Sequence, residues 1–313
     1  MKVSMKTYRK TTLSVIVIAT LFLAMVPVLP LSKPYFFYMM FWITMASAFN
    51  IIYGFVGYLP FGYVMFYGVG TYVTAVLWSR LGVPLPLAIL CSGAAGLVLS
   101  LAFAPTLRLK GIYFAIVNFA SAMVLRIVVA NLPEAWAGGS FGISLSGAYK
   151  PLASYYLMLA LTVASVVVGL WLSHSRLGIA LRCIRDDEAA AAVMGINVSM
   201  SRLKAWMLAA VIPSLAGGIE AWFTAIVDPD TSFNLMSTAK TIVYAMFGGL
   251  GTITGPIFGA VFMYGLDDFI WGRFPLLNLL VLGVTIIFLI LFLPRGVVGS
   301  LIQRWPGLRK IIE

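Results

Sequence analysis

The 313 residues carry ten carboxylates, one histidine and two cysteines, too few and too scattered for metal or nucleophilic chemistry. Cys91 lies in an apolar run and Cys183 in a charged stretch, and their spacing fits neither a metal site nor a disulfide framework. His174 stands at a helix end with no second His or Cys nearby, which reads as an interfacial residue rather than a ligand or base. No lysine follows a glycine, so a G-x-x-x-x-G-K-[ST] phosphate loop is absent. A membrane-embedded enzyme would need paired carboxylates, a histidine cluster or an activated nucleophile within a span, and the chain offers none. The polar groups left to explain are Arg126, Glu220 and Lys240, each set within an apolar run. A charge at the bilayer centre costs roughly 2.5–3.5 kcal/mol on insertion scales, so a Glu220–Lys240 pair is one expectation; Lys240 snorkelling to the interface is the other. Arg126 approaches the end of its run, where it either snorkels outward or attracts an anionic solute.

The elements that position these groups follow from composition. The chain is 62% hydrophobic and 10% charged, with a mean hydropathy of +1.02. So few charges cannot cover a soluble surface of this size, and lipid is the expected solvent. The net charge of +11 does not point to nucleic acid, because the basic residues flank apolar runs instead of forming a basic face. Each span needs roughly 20 apolar residues, so the expected fold is an all-α polytopic bundle forming one transmembrane domain over 1–313.

Apolar runs cover 11–31, 34–56, 59–79, 83–107, 112–132, 151–173, 203–227, 238–265 and 275–293. The first follows Lys2, Lys6, Arg9 and Lys10 and is too long for a signal-peptide core, so it reads as an uncleaved span. With this basic end inside, the positive-inside rule also places Arg108, Lys110 and the 174–204 stretch in the cytoplasm. Nine full crossings would then leave Arg295, Arg304, Arg309 and Lys310 outside, against their charge. The conflict disappears if 238–265 is broken at Gly248, Gly249, Gly251, Gly255 and Pro256 and re-enters the face it left. About eight crossings then remain, and Asp267, Asp268 and Arg273 fall in an external loop. Gly57-Tyr58-Leu59-Pro60 interrupts the first half in a similar way, and paired interruptions point to a central pathway.

The one long charged stretch between spans, 174–204, is expected to be ordered. Leu177, Leu181 and Ile184 form an i, i+4, i+7 stripe, and Asp187 is placed to cap a short helix from Glu188 to Met194 that Gly195 ends.

Ser175-Arg176-Leu177-Gly178, Ile184-Arg185-Asp186-Asp187-Glu188 and Met194-Gly195-Ile196-Asn197-Val198 resemble the cytoplasmic coupling loop of LivM-type permeases, subunits of bacterial branched-chain amino-acid ABC importers. Gly57-Tyr58…Phe61-Gly62…Gly68…Gly70, Arg108-Leu109-Lys110-Gly111, Gly138-Gly139-Ser140-Phe141-Gly142, Gly248-Gly249-Leu250-Gly251 and Leu293-Pro294-Arg295-Gly296 match the same family in order, over about residues 50–299. The resemblance implies that Glu188-Ala189-Ala190…Gly195 docks on an ATPase, with Arg185, Asp187 and Glu188 orienting the contact by charge. It implies an importer in the bacterial inner membrane with a homologous LivH-like permease, two ABC ATPase subunits that hydrolyse the ATP, and a periplasmic solute-binding protein; this chain itself would hold no cofactor. Tyr58, Tyr63, Asn118 and Glu220 depart from the family's usual residues in segments able to line a pathway, which leaves the solute open among branched-chain amino acids, urea, amides and aromatic acids. An ion-coupled secondary transporter is the rival expectation, with Glu220 as its only deeply placed acid.

Overall fold

The computed structural model describes residues 18–273, together with residues 280, 281, 283, 284, 287 and 296. After a helical stretch at 18–25, the main helices are α1 (Lys33–Val56), α2 (Val64–Leu81), α3 (Leu85–Ala102), α4 (Ile112–Ala130) and α5 (Pro151–His174). Two short helices, α6 (Arg176–Asp186) and α7 (Glu188–Val193), lead into α8 (Val198–Thr224), and α9 (Leu235–Gly248) and α10 (Thr254–Arg273) follow. The chain is thus a helical bundle, with one two-stranded antiparallel ribbon pairing Ile143–Ser144 with Ile226–Val227.

Local chemistry sets several of the helix ends. Pro34 occupies the first turn of α1, and Gly57 in the left-handed conformation ends it. Pro151 opens α5, and Gly82 closes α2. Pro213 sits within α8 without ending it.

Among the described residues, five helices, α1, α3, α4, α5 and α8, are long and apolar enough to cross a bilayer. Helix α1 is mostly buried and packs against α5, α8, α9 and α10, so it is the central post of the bundle. Helix α8 packs on α1, α2, α3 and α5. Helix α4 is peripheral and exposes Ile116, Val124 and Ile127 along one side, an apolar face suited to lipid.

Several runs differ from the expectation drawn from hydropathy. The run from 59 does not become helical until Val64, because Gly57 to Pro60 turn the chain first. The run 83–107 ends as an α-helix at Ala102, and Pro105 sits in a 3₁₀ turn over Ala104–Arg108. The expected external loop bearing Asp267, Asp268 and Arg273 is instead the last two turns of α10. Hydropathy placed it in a loop because it reads charge and not helix propensity. The run 275–293 and the basic tail lie outside the described residues.

The segment 238–265 is two helices joined by the non-helical residues 249–253. Gly249 and Gly251 turn the chain with φ of +121° and +78°. Helices α9 and α10 then cross almost backbone to backbone, since a Cβ on Gly248 would lie 1.7 Å from the Gly255 carbonyl oxygen. At 1.5 Å per residue the fourteen residues of α9 span about 21 Å, short of a hydrocarbon core of about 30 Å.

Candidate functional site

The 174–204 stretch is built as a rigid elbow. Ser175 caps α6 by accepting a hydrogen bond from the Gly178 N–H at 3.1 Å. Leu181 and Ile184 are buried against the bundle and Leu177 packs beside them. Asp187 stops α6 in extended backbone and caps α7, its Oδ1 accepting from the Ala189 and Ala190 N–H groups at 2.8 and 3.0 Å. Gly195 follows with φ +82°, and Asn197 caps α8 by accepting from the Met200 N–H at 3.0 Å.

Glu188 turns inward. Its carboxylate meets Lys110 Nζ at 2.7 Å and the Arg202 guanidinium at 2.9 Å, so it joins α7, the connection before α4 and the start of α8. The hydrogen bonds from Arg202 and Lys110 hold its carboxyl at about 2, well below the usual carboxylate range. Arg202 is itself buried and also stacks over the Tyr58 ring at 4.8 Å. Arg185 donates to the Gly54 carbonyl oxygen at 2.5 Å. Arg185, Asp187 and Glu188 thus each bond within the chain. For Asp187 the reason is local, since a short polar side chain beside a helix start finds its own backbone first. Beside the exposed charges Arg185, Asp186 and Asp187, α7 and its C-cap expose a small apolar surface: Ala189, Ala190, Ala192, Val193 and Met194.

The other residues singled out from the sequence fall into separate places. Tyr58, Tyr63 and Asn118 come together at the first interruption. The Tyr58 ring packs on Phe114 at 4.9 Å, the Tyr63 hydroxyl donates to the Ala209 carbonyl at 2.7 Å, and a Cβ on Gly62 would collide with the Asn118 carbonyl. The Asn118 side chain is fully buried, and neither of its amide atoms has a hydrogen-bond partner among the described residues. Arg126 lies at the opposite end of α4 from Lys110 and pairs with Asp230 at 2.5 Å.

The expected Glu220–Lys240 pair does not form. Glu220 accepts from the Tyr67 hydroxyl at 2.9 Å and from the Tyr38 hydroxyl at 3.3 Å, while Lys240 meets Asp267 at 2.6 Å across the α9–α10 hairpin. Asp267 lies on α10 and not in a loop, which brings it within reach of Lys240. Arg202, Tyr38 and Tyr67 are not marked by the sequence pattern, and Lys110 enters it only by its charge and its motif; Lys110 and Arg202 carry a signal, as basic residues flanking the loop's acid. Among the described residues no three His, Cys, Asp or Glu side chains converge to hold a metal ion.

A bundle of apolar helices, a glycine-broken hairpin and one ordered polar elbow define a multi-pass transport permease, not an enzyme. The chain belongs to the family described as branched-chain amino acid transport system / permease component, which matches residues 34–290. It is 27% identical over 291 residues to the high-affinity branched-chain amino acid transport system permease protein LivM of Salmonella typhimurium, covering 82% of this chain and 67% of that protein. Identity to LivM of Escherichia coli is 26% with the same coverage, and identity to the permease protein BraD of Pseudomonas aeruginosa is 24%, covering 81% of this chain and 90% of BraD. No solved structure shows a significant match to the chain. The family is that of a permease component, so this chain is one part of a multi-subunit transporter.

Proposed function

We propose that this chain is the membrane-spanning permease of an ATP-driven importer in the bacterial inner membrane, moving branched-chain amino acids or a related small polar solute. It works beside a homologous LivH-like permease. A periplasmic binding protein delivers the solute, and two ABC ATPase subunits hydrolyse the ATP, so this chain holds no cofactor. The observation that carries this reading is the exposed apolar tip formed by Ala189, Ala190, Ala192, Val193 and Met194, fixed by the Asp187 cap at one end and braced by the Glu188 ion pairs. Val193 and Met194 are 89% and 78% exposed at the end of a polar loop, a surface suited to a soluble subunit's cleft. Solute uptake by alternating access requires that this tip make different contacts in two states, because coupling is a difference in free energy.

The test is reconstitution of the whole complex in proteoliposomes with radiolabelled leucine. Val193→Asp places a charge on the tip and is expected to detach the ATPase and abolish ATP-dependent uptake while the permease stays folded. Unchanged ATPase attachment and uptake would defeat the reading.

A further inference from the structure

Three segments meet where α1 ends: the last turn of α1, the 249–253 tip of the glycine hairpin, and the last turn of α6. The α1–tip contact is close because residue 54 has no side chain. A Cβ there would lie 2.6 Å from the Gly251 nitrogen. Asn50 bonds the tip twice, accepting from the Gly251 N–H and donating to the Thr252 carbonyl, both at 2.8 Å.

The third partner is Arg185. The Gly54 carbonyl is among the last four of α1, and the chain turns away before it gains a helical donor: the Gly57 and Tyr58 N–H groups bond Tyr53 and Ile52 instead. Arg185 supplies the missing donor at 2.5 Å. Its side chain also fills the space beside Gly57 and Gly251. A Cβ on Gly57 would sit 3.0 Å from its Cγ, and one on Gly251 would sit 2.9 Å from its Nη1. Arg185 is two residues before the Asp187 cap that fixes α7, so displacement of the exposed tip carries directly to its backbone.

We propose that Arg185 is a positioning residue that pins the hairpin tip to the end of α1, and that movement of the 174–204 loop withdraws it to open this end of the permease. The proposal rests on the importer reading above. With Arg185 in place, helix end, tip and loop move as one body. With it withdrawn, the Asn50 bonds and the packing of α1 on the hairpin remain, and the α1–hairpin seam parts more readily. Arginine suits the task because its planar fork reaches the Gly54 carbonyl while its stem packs on glycine.

The experiment uses the reconstituted complex, with Cys91 and Cys183 replaced by serine and a reporter cysteine at Ser47, whose hydroxyl lies buried beside the tip in a cavity that Ile253 and Pro256 also line. In the parent protein the reporter is expected to resist a soluble maleimide while ATP is trapped with vanadate and to react without nucleotide. Arg185→Ala should make it react at least tenfold faster in the vanadate-trapped state. It should also lower leucine uptake per ATP hydrolysed at least tenfold while hydrolysis itself stays within about twofold. Arg185→Lys should restore part of the uptake-to-hydrolysis ratio. If Arg185 only completes the end of α1, uptake and hydrolysis fall together and reporter reactivity follows nucleotide as in the parent; that result overturns the proposal. Unchanged coupling in Arg185→Ala overturns it too. Val193→Asp separates the two readings: a complex that keeps its ATPase despite this charge defeats the importer docking surface, whatever Arg185 does.

Discussion

Lys240 and Asp267 face each other at 2.6 Å across the glycine hairpin, and this pair closes the two arms α9 and α10 on themselves. The side chains are only 21% and 16% accessible, so each charge depends on the other. We expect Lys240→Gln and Asp267→Asn each to cost about 3 kcal/mol, with the double variant less impaired than the sum. Thermal unfolding of the purified permease in detergent measures this, and strict additivity would count against the pair.

Glu220 and Lys240 belong to different bonded sets, since Tyr38 and Tyr67 serve the first and Asp267 the second. Their glutamine variants should therefore lower stability additively, within about 0.5 kcal/mol. A coupling larger than that in the same unfolding assay would place them in one network. Tyr67→Phe removes a hydroxyl from a buried acceptor and should cost about 1–3 kcal/mol.

The Glu188 carboxyl is lowered from an ordinary 4.5 to about 2 by Arg202 and Lys110. A group with a depressed folded-state value adds stability that is complete above the unfolded value and lost as pH falls through the folded one. Amide exchange of α7, corrected for intrinsic rates, should therefore be flat from pH 6 to 8 and rise only between about pH 4.5 and 2. Glu188→Gln should show the fast exchange already at pH 7. Protection that fades near pH 6 would mean another group holds the loop.

Gly195 adopts φ +82°, with open space around a Cβ, so backbone strain alone decides substitutions there. Gly195→Asn should be tolerated, Gly195→Ala should cost about 1–2 kcal/mol locally, and Gly195→Val should cost more. Copurification of the ATPase subunit should decline in that order. Equal recovery from all three would remove the turn from the docking surface.

Arg126 is already neutralised by Asp230, with both side chains well exposed. Exposed pairs contribute about 0–1 kcal/mol, so Arg126→Gln and Arg126→Lys should transport equally and remain about equally stable. Loss of uptake in the glutamine variant alone would restore a role for this charge at the solute entrance.

The elbow was legible in the sequence because its signals are local. Asp187, Gly195 and the Leu177–Leu181–Ile184 stripe act within one or two turns of themselves, and the structure places each where its chemistry predicts. The glycine interruption at 248–255 was legible for the same reason. The charge pairs were not. Lys240 and Asp267 are 27 residues apart and Arg126 and Asp230 are 104 apart, so their pairing depends on helix packing that no local pattern records. The Glu188 ion pairs are of the same kind, since Lys110 and Arg202 reach it from other segments of the chain.

Glu220 takes its two hydroxyl donors from α1 and α2, which precede α8 in the chain. Synthesis runs from the N-terminus, so Tyr38 and Tyr67 are already in the bilayer when the acid emerges. A carboxyl group entering lipid is costly until it is bonded, and here the receptors for it are waiting. Membrane insertion of α8 should therefore depend on helices made more than a hundred residues earlier, and the order of biogenesis is written into a three-residue contact.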